Sequence, residues 1–367
     1  MTKILRFIRS NFVLCIAFGL ALITSFIIPP SKEYINYFDF KTLACLFCTL
    51  AVICALKNIR FFTVLARSIV HATGNLRSAV LALVFITFFG SMLLANDMAL
   101  ITFLPLGYYV LSSTDKKKHM AFVFVMQNIA ANLGGMLTPF GNPQNLYLFS
   151  YFEIPTGEFV RIMLPPFVAA TLLIVVCCLF IRPEKIELTE HDTYSLPVRR
   201  TVLYLILFAL AISVVFKAVP YLLGTLIVLA ALLFLDRKAL LRVDYGLLLT
   251  FACFFVFAGN LSRVGLVHQI LSSLLEKNTL LVSILSCQVI SNVPSAILLS
   301  RFTADYPSLL LGVNIGGTGT LIASLASLIT FREYSQREPH KTGHYMKVFS
   351  LLNILFLVIL TAIAIAF

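Results

Sequence analysis

Polar residues along this chain are few, and they fall between long apolar runs or at a few abrupt breaks inside them. Apolar runs lie at about 12–29, 40–56, 78–111, 120–151, 160–181, 201–216, 219–235, 245–259, 279–300, 307–331 and 348–367. Many are near or above the ~20 helical residues that cross a bilayer. None alternates polar with apolar residues as a barrel strand would, so the pattern predicts helices. Lys and Arg gather in the short connections, at Lys116–Lys118 and again between Arg182 and Arg200. With Lys3, Arg6 and Arg9 ahead of the first run, the positive-inside bias predicts a cytoplasmic N-terminus and a C-terminus outside. Two further stretches, 57–77 and 260–278, have the mixed character of amphipathic helices.

Four polar breaks interrupt this pattern. The largest runs Asn132-Leu-Gly-Gly-Met-Leu-Thr-Pro-Phe-Gly-Asn-Pro-Gln-Asn145, and a second copy, Asn314-Ile-Gly-Gly-Thr-Gly-Thr-Leu-Ile-Ala-Ser-Leu-Ala-Ser327, aligns with it without a gap. Each follows a shorter break in an apolar run, Ala95-Asn96-Asp97 before the first and Ser291-Asn292-Val293-Pro294 before the second. Helix-breaking residues at membrane depth leave carbonyls and amides that cost several kcal/mol each in hydrocarbon unless protein, water or a ligand satisfies them. Their repetition predicts two inverted repeats, 1–181 and 219–367, joined by a loop and linking helix at 182–218. Each repeat holds a re-entrant helical hairpin (78–115 and 279–300) and a broken transmembrane helix (119–151 and 306–331). The predicted fold class is therefore an all-α polytopic membrane protein.

Composition agrees. The chain is 60% hydrophobic and 12% charged, against about 25% charged in soluble domains. The net charge of +12 sits in loops, where it sets orientation rather than binding nucleic acid. Eight cysteines, among them Cys45 and Cys48 of a lone Cys-x-x-Cys, lie in apolar runs and are read as reduced packing residues. The first run lacks a cleavage site and ends in Ile-Pro-Pro, which predicts a retained span rather than a signal peptide. His340 and His344 lie in a basic loop and are read as solvated. No His-Glu-x-x-His, Gly-x-Ser-x-Gly or Walker motif is present, so the expectation is a transporter, not an enzyme, with no cofactor.

The expected substrate-binding residues are Asn96, Asp97, Asn132, Gly134, Gly135, Thr138, Asn142, Pro143, Asn145, Ser291, Asn292, Asn314, Gly316, Gly317, Thr318, Thr320 and Ser324. Free carbonyls at a break suit a hard cation, and half-helix N-termini suit an anion. Asn96, Asp97, Asn132, Asn292 and Asn314 are the expected neighbours of a coupling ion, with Asp97 the one ionisable group inside a break.

At these residues the chain resembles the ion-transporter superfamily, which includes citrate/metal transporters, arsenite permeases, sodium/proton antiporters and divalent-anion/sodium symporters. Asn96-Asp97-Met-Ala-Leu and Ser291-Asn292-Val293-Pro294 are similar to its two hairpin-tip signatures. The stretches beginning at Asn132 and Asn314 are similar to its broken-helix motifs. The dicarboxylate symporters of that group carry Ser-Asn-Thr at both tips, whereas Asp97 and Val293 stand here in the Thr places and Ala95 in the first Ser place. The resemblance implies one central site, sodium or proton coupling and a homodimer. The function expected is alternating-access transport of a small anion or oxyacid, citrate-like or arsenite-like, across the bacterial inner membrane. A sodium/proton antiporter using Asp97 is the alternative.

Overall fold

In hydrocarbon a backbone amide has no water to bond, so an apolar run satisfies its peptide groups within one helix. The computed structural model describes residues 12–186 and 195–366, and among them every apolar run is helical. Lys3, Arg6 and Arg9, on which part of the orientation reading rests, lie outside the described residues. The helices are α1 (Phe12–Ile27), α2 (Phe40–Asn58), α3 (Phe61–His71), α4 (Leu76–Leu93), α5 (Asn96–Ser113) and α6 (Met120–Gly134). Then come α7 (Pro143–Tyr151), α8 (Thr156–Leu179), α9 (Val198–Val215), α10 (Tyr221–Leu235), α11 (Arg237–Leu241) and α12 (Tyr245–Ser262). The chain closes with α13 (Gly265–Ile290), α14 (Asn292–Leu299), α15 (Tyr306–Ile315), α16 (Leu325–Arg337) and α17 (Thr342–Ala366). Among the described residues eight helical stretches are long and apolar enough to cross a membrane. The protein is an all-helical, polytopic integral membrane protein.

Some boundaries differ from the sequence reading, each for a local reason. α1 stops at Ile27, ahead of Pro29 and Pro30. The stretch 260–278 divides: its first residues finish α12, and 265–277 form a helical segment of their own that ends where the backbone leaves helical geometry at Asn278, the predicted start of the second hairpin. Within α13 the backbone kinks at Asn278, whose side-chain oxygen accepts the Leu281 amide at 2.8 Å and so caps a second helical segment in mid-course. α16 runs past 331 to Arg337, whose guanidinium pairs with Glu333 and lies 3.9 Å from the Tyr108 ring centroid.

Packing places α6 at the centre and α17 at the rim. Nearly every residue in the most apolar part of Lys117–Leu137 is buried within the protein, while most of those in Pro339–Ala366 are not, and side chains such as Leu351 face outward. α4 packs on α5 and α6, and α13 packs on α14 and α15. The halves then cross: α5 lies against α16, α14 against α7, α1 against α12 and α2 against α10. At one end of the bundle the chain leaving α8 closes over the feet of α4 and α6. The Leu76 amide donates to the Glu184 carbonyl at 2.8 Å, Arg77 Nε donates to the Ile181 carbonyl at 2.7 Å, and Lys116 pairs with the Glu184 carboxylate.

Candidate functional site

Four helices begin at the middle of the protein, and the sequence breaks are where they begin. α4 ends at Leu93, Ala95 leaves helical geometry, and α5 restarts at Asn96. The Asn96 side chain accepts the Asp97 amide at 3.0 Å, which closes the turn locally. The second turn repeats this: Ser291 sits at φ 78, and the Asn292 side chain accepts the Val293 amide at 2.9 Å as α14 starts. α6 ends at Gly134, a short 3-10 turn covers Gly135–Leu137, and α7 starts at Pro143 behind Asn142. Proline suits that first helical position because its missing N–H has no partner there to lose. α15 ends at Ile315, and α16 starts at Leu325 behind Ser324, whose hydroxyl accepts the Ala326 amide at 3.2 Å.

Side-chain amides satisfy much of the backbone that these breaks free. Asn142 Nδ2 donates to the Asn132 carbonyl at 3.1 Å, and Asn145 Nδ2 donates to the carbonyls of Gly135 and Met136 at 3.2 Å each. In the second break Gln288 Nε2 donates to the carbonyls of Gly316 (2.9 Å) and Thr318 (3.1 Å), while its oxygen accepts the Thr320 amide at 2.9 Å. One threonine bond recurs in both halves. Thr138 Oγ1 donates to the Met92 carbonyl at 2.9 Å and Thr320 Oγ1 to the Gln288 carbonyl at 3.1 Å, each acceptor lying four residues before the turn asparagine.

The turns and breaks then join across the halves. Asn132 Oδ1 accepts from Asn96 Nδ2 at 3.0 Å and from the Ser324 hydroxyl at 2.8 Å. Asn314 Nδ2 donates to Asn145 Oδ1 at 2.6 Å, Asn128 Nδ2 to Ser327 Oγ at 3.3 Å, and the Asn292 amide to the Ala323 carbonyl at 2.9 Å. The first turn lies against Asn132, twelve residues into α6 and so about 18 Å along that helix from its start. The N-termini of α5, α7, α14 and α16 all border this amide-rich centre.

Glycine permits the close approaches. A Cβ on Gly134 would lie 2.2 Å from the Phe88 carbonyl oxygen, so α6 and α4 approach backbone to backbone at that point. One on Gly135 would lie 2.5 Å from Asn142 Oδ1, and Gly319 adopts φ +115, a conformation strained for any residue with a side chain. Gly316 faces Cys287, and Gly317 faces Asn292 Nδ2.

The expected site residues thus separate into groups. Asn96, Asn132, Asn142, Asn145, Asn314 and Ser324 form one connected cluster, with Asn292 and Ser291 attached through the Ala323 carbonyl. Thr138, Thr318 and Thr320 instead spend their hydroxyls on backbone carbonyls, and Thr320 is exposed beside Gln288. Asp97 occupies the first turn of α5, where the helix N-terminus favours a carboxylate. One of its oxygens is fully buried and has no hydrogen-bond partner among the described residues. The amide oxygens of Asn128, Asn142 and Asn314 are likewise buried and unpartnered. Carboxylate and amide oxygens are the kinds of ligand a hard cation takes. The described residues contain no cluster of three His, Cys, Asp or Glu side chains that would hold a transition metal.

Sequence reasoning missed Asn128, Ser327 and Gln288. The signal was available for two of them. Asn128 lies one helical turn before Asn132 and Gln288 one turn before Asn292, each an amide side chain on the same helix face as the asparagine of its break.

The profile of the citrate transporter family matches residues 2–308. A transporter of Methanocaldococcus jannaschii, described as uncharacterized, is 31% identical over 361 residues, covering 96% of this chain and 97% of its own. The inner membrane protein YbiR of Escherichia coli is 31% identical over 336 residues, covering 89% of this chain and 88% of its own. An uncharacterized transporter of Haemophilus influenzae is 33% identical over a shorter stretch of 127 residues.

Proposed function

The chain belongs to the citrate transporter family, and from that premise we propose that it moves a small anion or oxyacid by alternating access, coupled to sodium or protons. The observation that carries this reading is the meeting of four helix N-termini around one buried cluster of neutral amides. Each N-terminus carries about half a positive charge and orphan amide donors, so the centre attracts an anion without any Lys or Arg. The two halves are read as inverted repeats, because the Asn turn, the capped half-helix and the threonine bond recur in both. The turns are read as tips of re-entrant hairpins, since the first meets α6 about 18 Å along, short of the ~30 Å hydrocarbon thickness. The protein is placed in the cytoplasmic membrane with the Lys116–Lys118 end inward and its C-terminus outward, acting as a homodimer. The inner-membrane description of the Escherichia coli relative supports that location.

The test is uptake into proteoliposomes of radiolabelled citrate, succinate, phosphate and arsenite, with sodium and pH gradients imposed separately. The expected result is accumulation of one solute driven by one gradient, abolished in Asn132→Ala and Asn314→Ala. A second reading rests on the buried, unpartnered carboxylate oxygen of Asp97: a sodium/proton antiporter. It is favoured instead if sodium alone dissipates a pH gradient, no solute accumulates, and Asp97→Asn abolishes the exchange.

A further inference from the structure

A short helix crosses the end of the bundle that carries Lys116–Lys118. α3 follows α2 through Arg60, whose φ of 58 turns the chain aside. Its eleven residues measure about 16 Å, roughly half of the ~30 Å hydrocarbon thickness. It leads into the foot of α4, where the Leu76 amide bonds the carbonyl of Glu184 and Glu184 pairs with Lys116. At mid-length Arg67 lies 6.0 Å from the ring centroid of Tyr109, one turn before α5 ends at Ser113. α3 therefore runs across the base of the α4–α5 hairpin, packed on α2, α4 and α5.

Two sides of this helix are apolar. Phe62, Ala66 and Val70, each four residues apart, are buried against the neighbouring helices. Leu65, Ile69 and Ala72 share a second side that stays exposed, Leu65 at 52% and Ile69 at 44%. Arg67 belongs to neither side. It is exposed, and among the described residues it makes no hydrogen bond or ion pair; its ring contact leaves the guanidinium N–H groups unspent. Charge indicates what covers this surface. The stretch 57–77 holds Lys57, Arg60, Arg67 and Arg77, and no acid occurs between Asp39 and Asp97. Of the acids at this end, Glu184 is taken by Lys116 and Lys118, and Asp236 by the amides of Asn58 and Ala239. Asp115 is followed directly by three lysines. An exposed apolar edge beside an unpaired guanidinium suits a lipid surface, with the apolar side chains among acyl chains and the cation at the phosphates.

We propose that α3 is a binding site for anionic phospholipid: Leu65 and Ile69 enter the bilayer surface, and Arg67 takes the headgroup phosphate. Because α3 also covers the feet of α4 and α5, a lipid held there steadies the first hairpin at its base. The site rests on the membrane placement given above, with this end of the bundle at a leaflet surface, and not on any transported solute.

The experiment titrates the purified protein in a mild non-ionic detergent with phosphatidylglycerol, with phosphatidylcholine and with inorganic phosphate, and reads the melting temperature and the hydrogen exchange of residues 61–80. Phosphatidylglycerol is expected to raise the melting temperature and to slow exchange in α3 and the first turn of α4, while phosphatidylcholine and inorganic phosphate do neither. Arg67→Gln should raise the lipid fraction needed for half of that shift about fivefold, the factor that one basic side chain at an anionic surface supplies. Arg67→Lys retains most of the response, and high salt weakens it in the wild type. Leu65→Gln and Ile69→Gln weaken it as well, because the apolar edge anchors the headgroup contact. An equal response to both lipids, or to free phosphate, overturns the proposal, as does a wild-type response in Arg67→Gln. Arg67 is exposed and holds no structural bond, so its variants fold. A protein that passes these tests and moves no solute would end the transport reading and leave the lipid site standing.

Discussion

The bond between Asn132 and Ser324 joins the two halves of the protein at its centre, and a double-mutant cycle measures it. Both residues are buried, Asn132 at 3% exposure and Ser324 at 1%. Ser324→Ala removes the cap on α16 and the hydroxyl donated to Asn132 Oδ1. The cap is worth about 0.5–2 kcal/mol and the bond about 0.5–1.5 kcal/mol, so the single variant loses about 1–3 kcal/mol. Asn132→Ala removes the acceptor of two bonds and leaves the Asn96 amide group buried without it, a cost of about 2–4 kcal/mol. In the Asn132→Ala background the hydroxyl of Ser324 has only its cap to lose. The double variant is therefore less destabilised than the sum of the singles by about 1 kcal/mol. Denaturant unfolding in detergent, followed by circular dichroism, gives the four stabilities. Additivity within about 0.3 kcal/mol would refute the reasoning, because residues sharing a buried bond do not act independently.

Other substitutions test other parts of the fold. Gly134→Ala drives a methyl into the Phe88 carbonyl and is expected to cost about 1–3 kcal/mol, read as a lowered melting temperature. Gly157→Ala, in the first turn of α8 with nothing within 4 Å, should be neutral or stabilising by up to about 1 kcal/mol. Asp97→Asn keeps the shape of the first turn but removes its charge, so uptake should lose its dependence on the driving gradient; unchanged gradient dependence in proteoliposomes argues against a coupling role. The hydrogen bond from Lys116, aided by the charges of Lys116 and Lys118, holds the Glu184 carboxyl below its ordinary value of 4.5. The clasp at the feet of α4 and α6 therefore stabilises fully above that ordinary value and fades as pH falls through the lower, folded one. Protection of the Leu76 amide, taken relative to its intrinsic exchange rate at each pH, should fall on acidification in the wild type and be lowered at neutral pH in Glu184→Gln, the effect being modest because the pair is exposed.

The helical membrane fold was legible because the apolar runs are long and the charges that interrupt them are few. The central breaks were legible for the same reason: Gly, Pro and Asn stand out against Leu, Ile and Phe. What the breaks do locally was less so. Gln288 was passed over because it lies outside the aligned stretches, yet it satisfies three backbone groups of the second break. Thr318 and Thr320 look like ligands in sequence, but their hydroxyls are committed to carbonyls that unwinding sets free. The pairing of Asn132 with Ser324 was beyond reach, because 192 residues separate them and no periodicity specifies a partner at that distance. Asn278 was within reach: the boundary read between the stretch 260–278 and the hairpin 279–300 falls where the backbone leaves helical geometry, and the Asn278 side chain caps the segment that follows.

Charge balance at the centre gives a reason for coupling. Four helix N-termini of about half a charge each supply roughly two positive charges, spread over amides rather than fixed on a side chain. Asp97, when ionised, cancels about one of them. A dianion bound there would leave the buried site about one negative charge in excess, and an uncompensated charge in such surroundings costs several kcal/mol. A proton on Asp97, or a sodium ion beside its buried, unpartnered oxygen, restores the balance. On this reading the co-ion is a condition for holding the anion, and release of either weakens the other. A lysine or arginine in place of Asp97 would hold the anion unaided, and a site that must also let its solute go gains nothing from that.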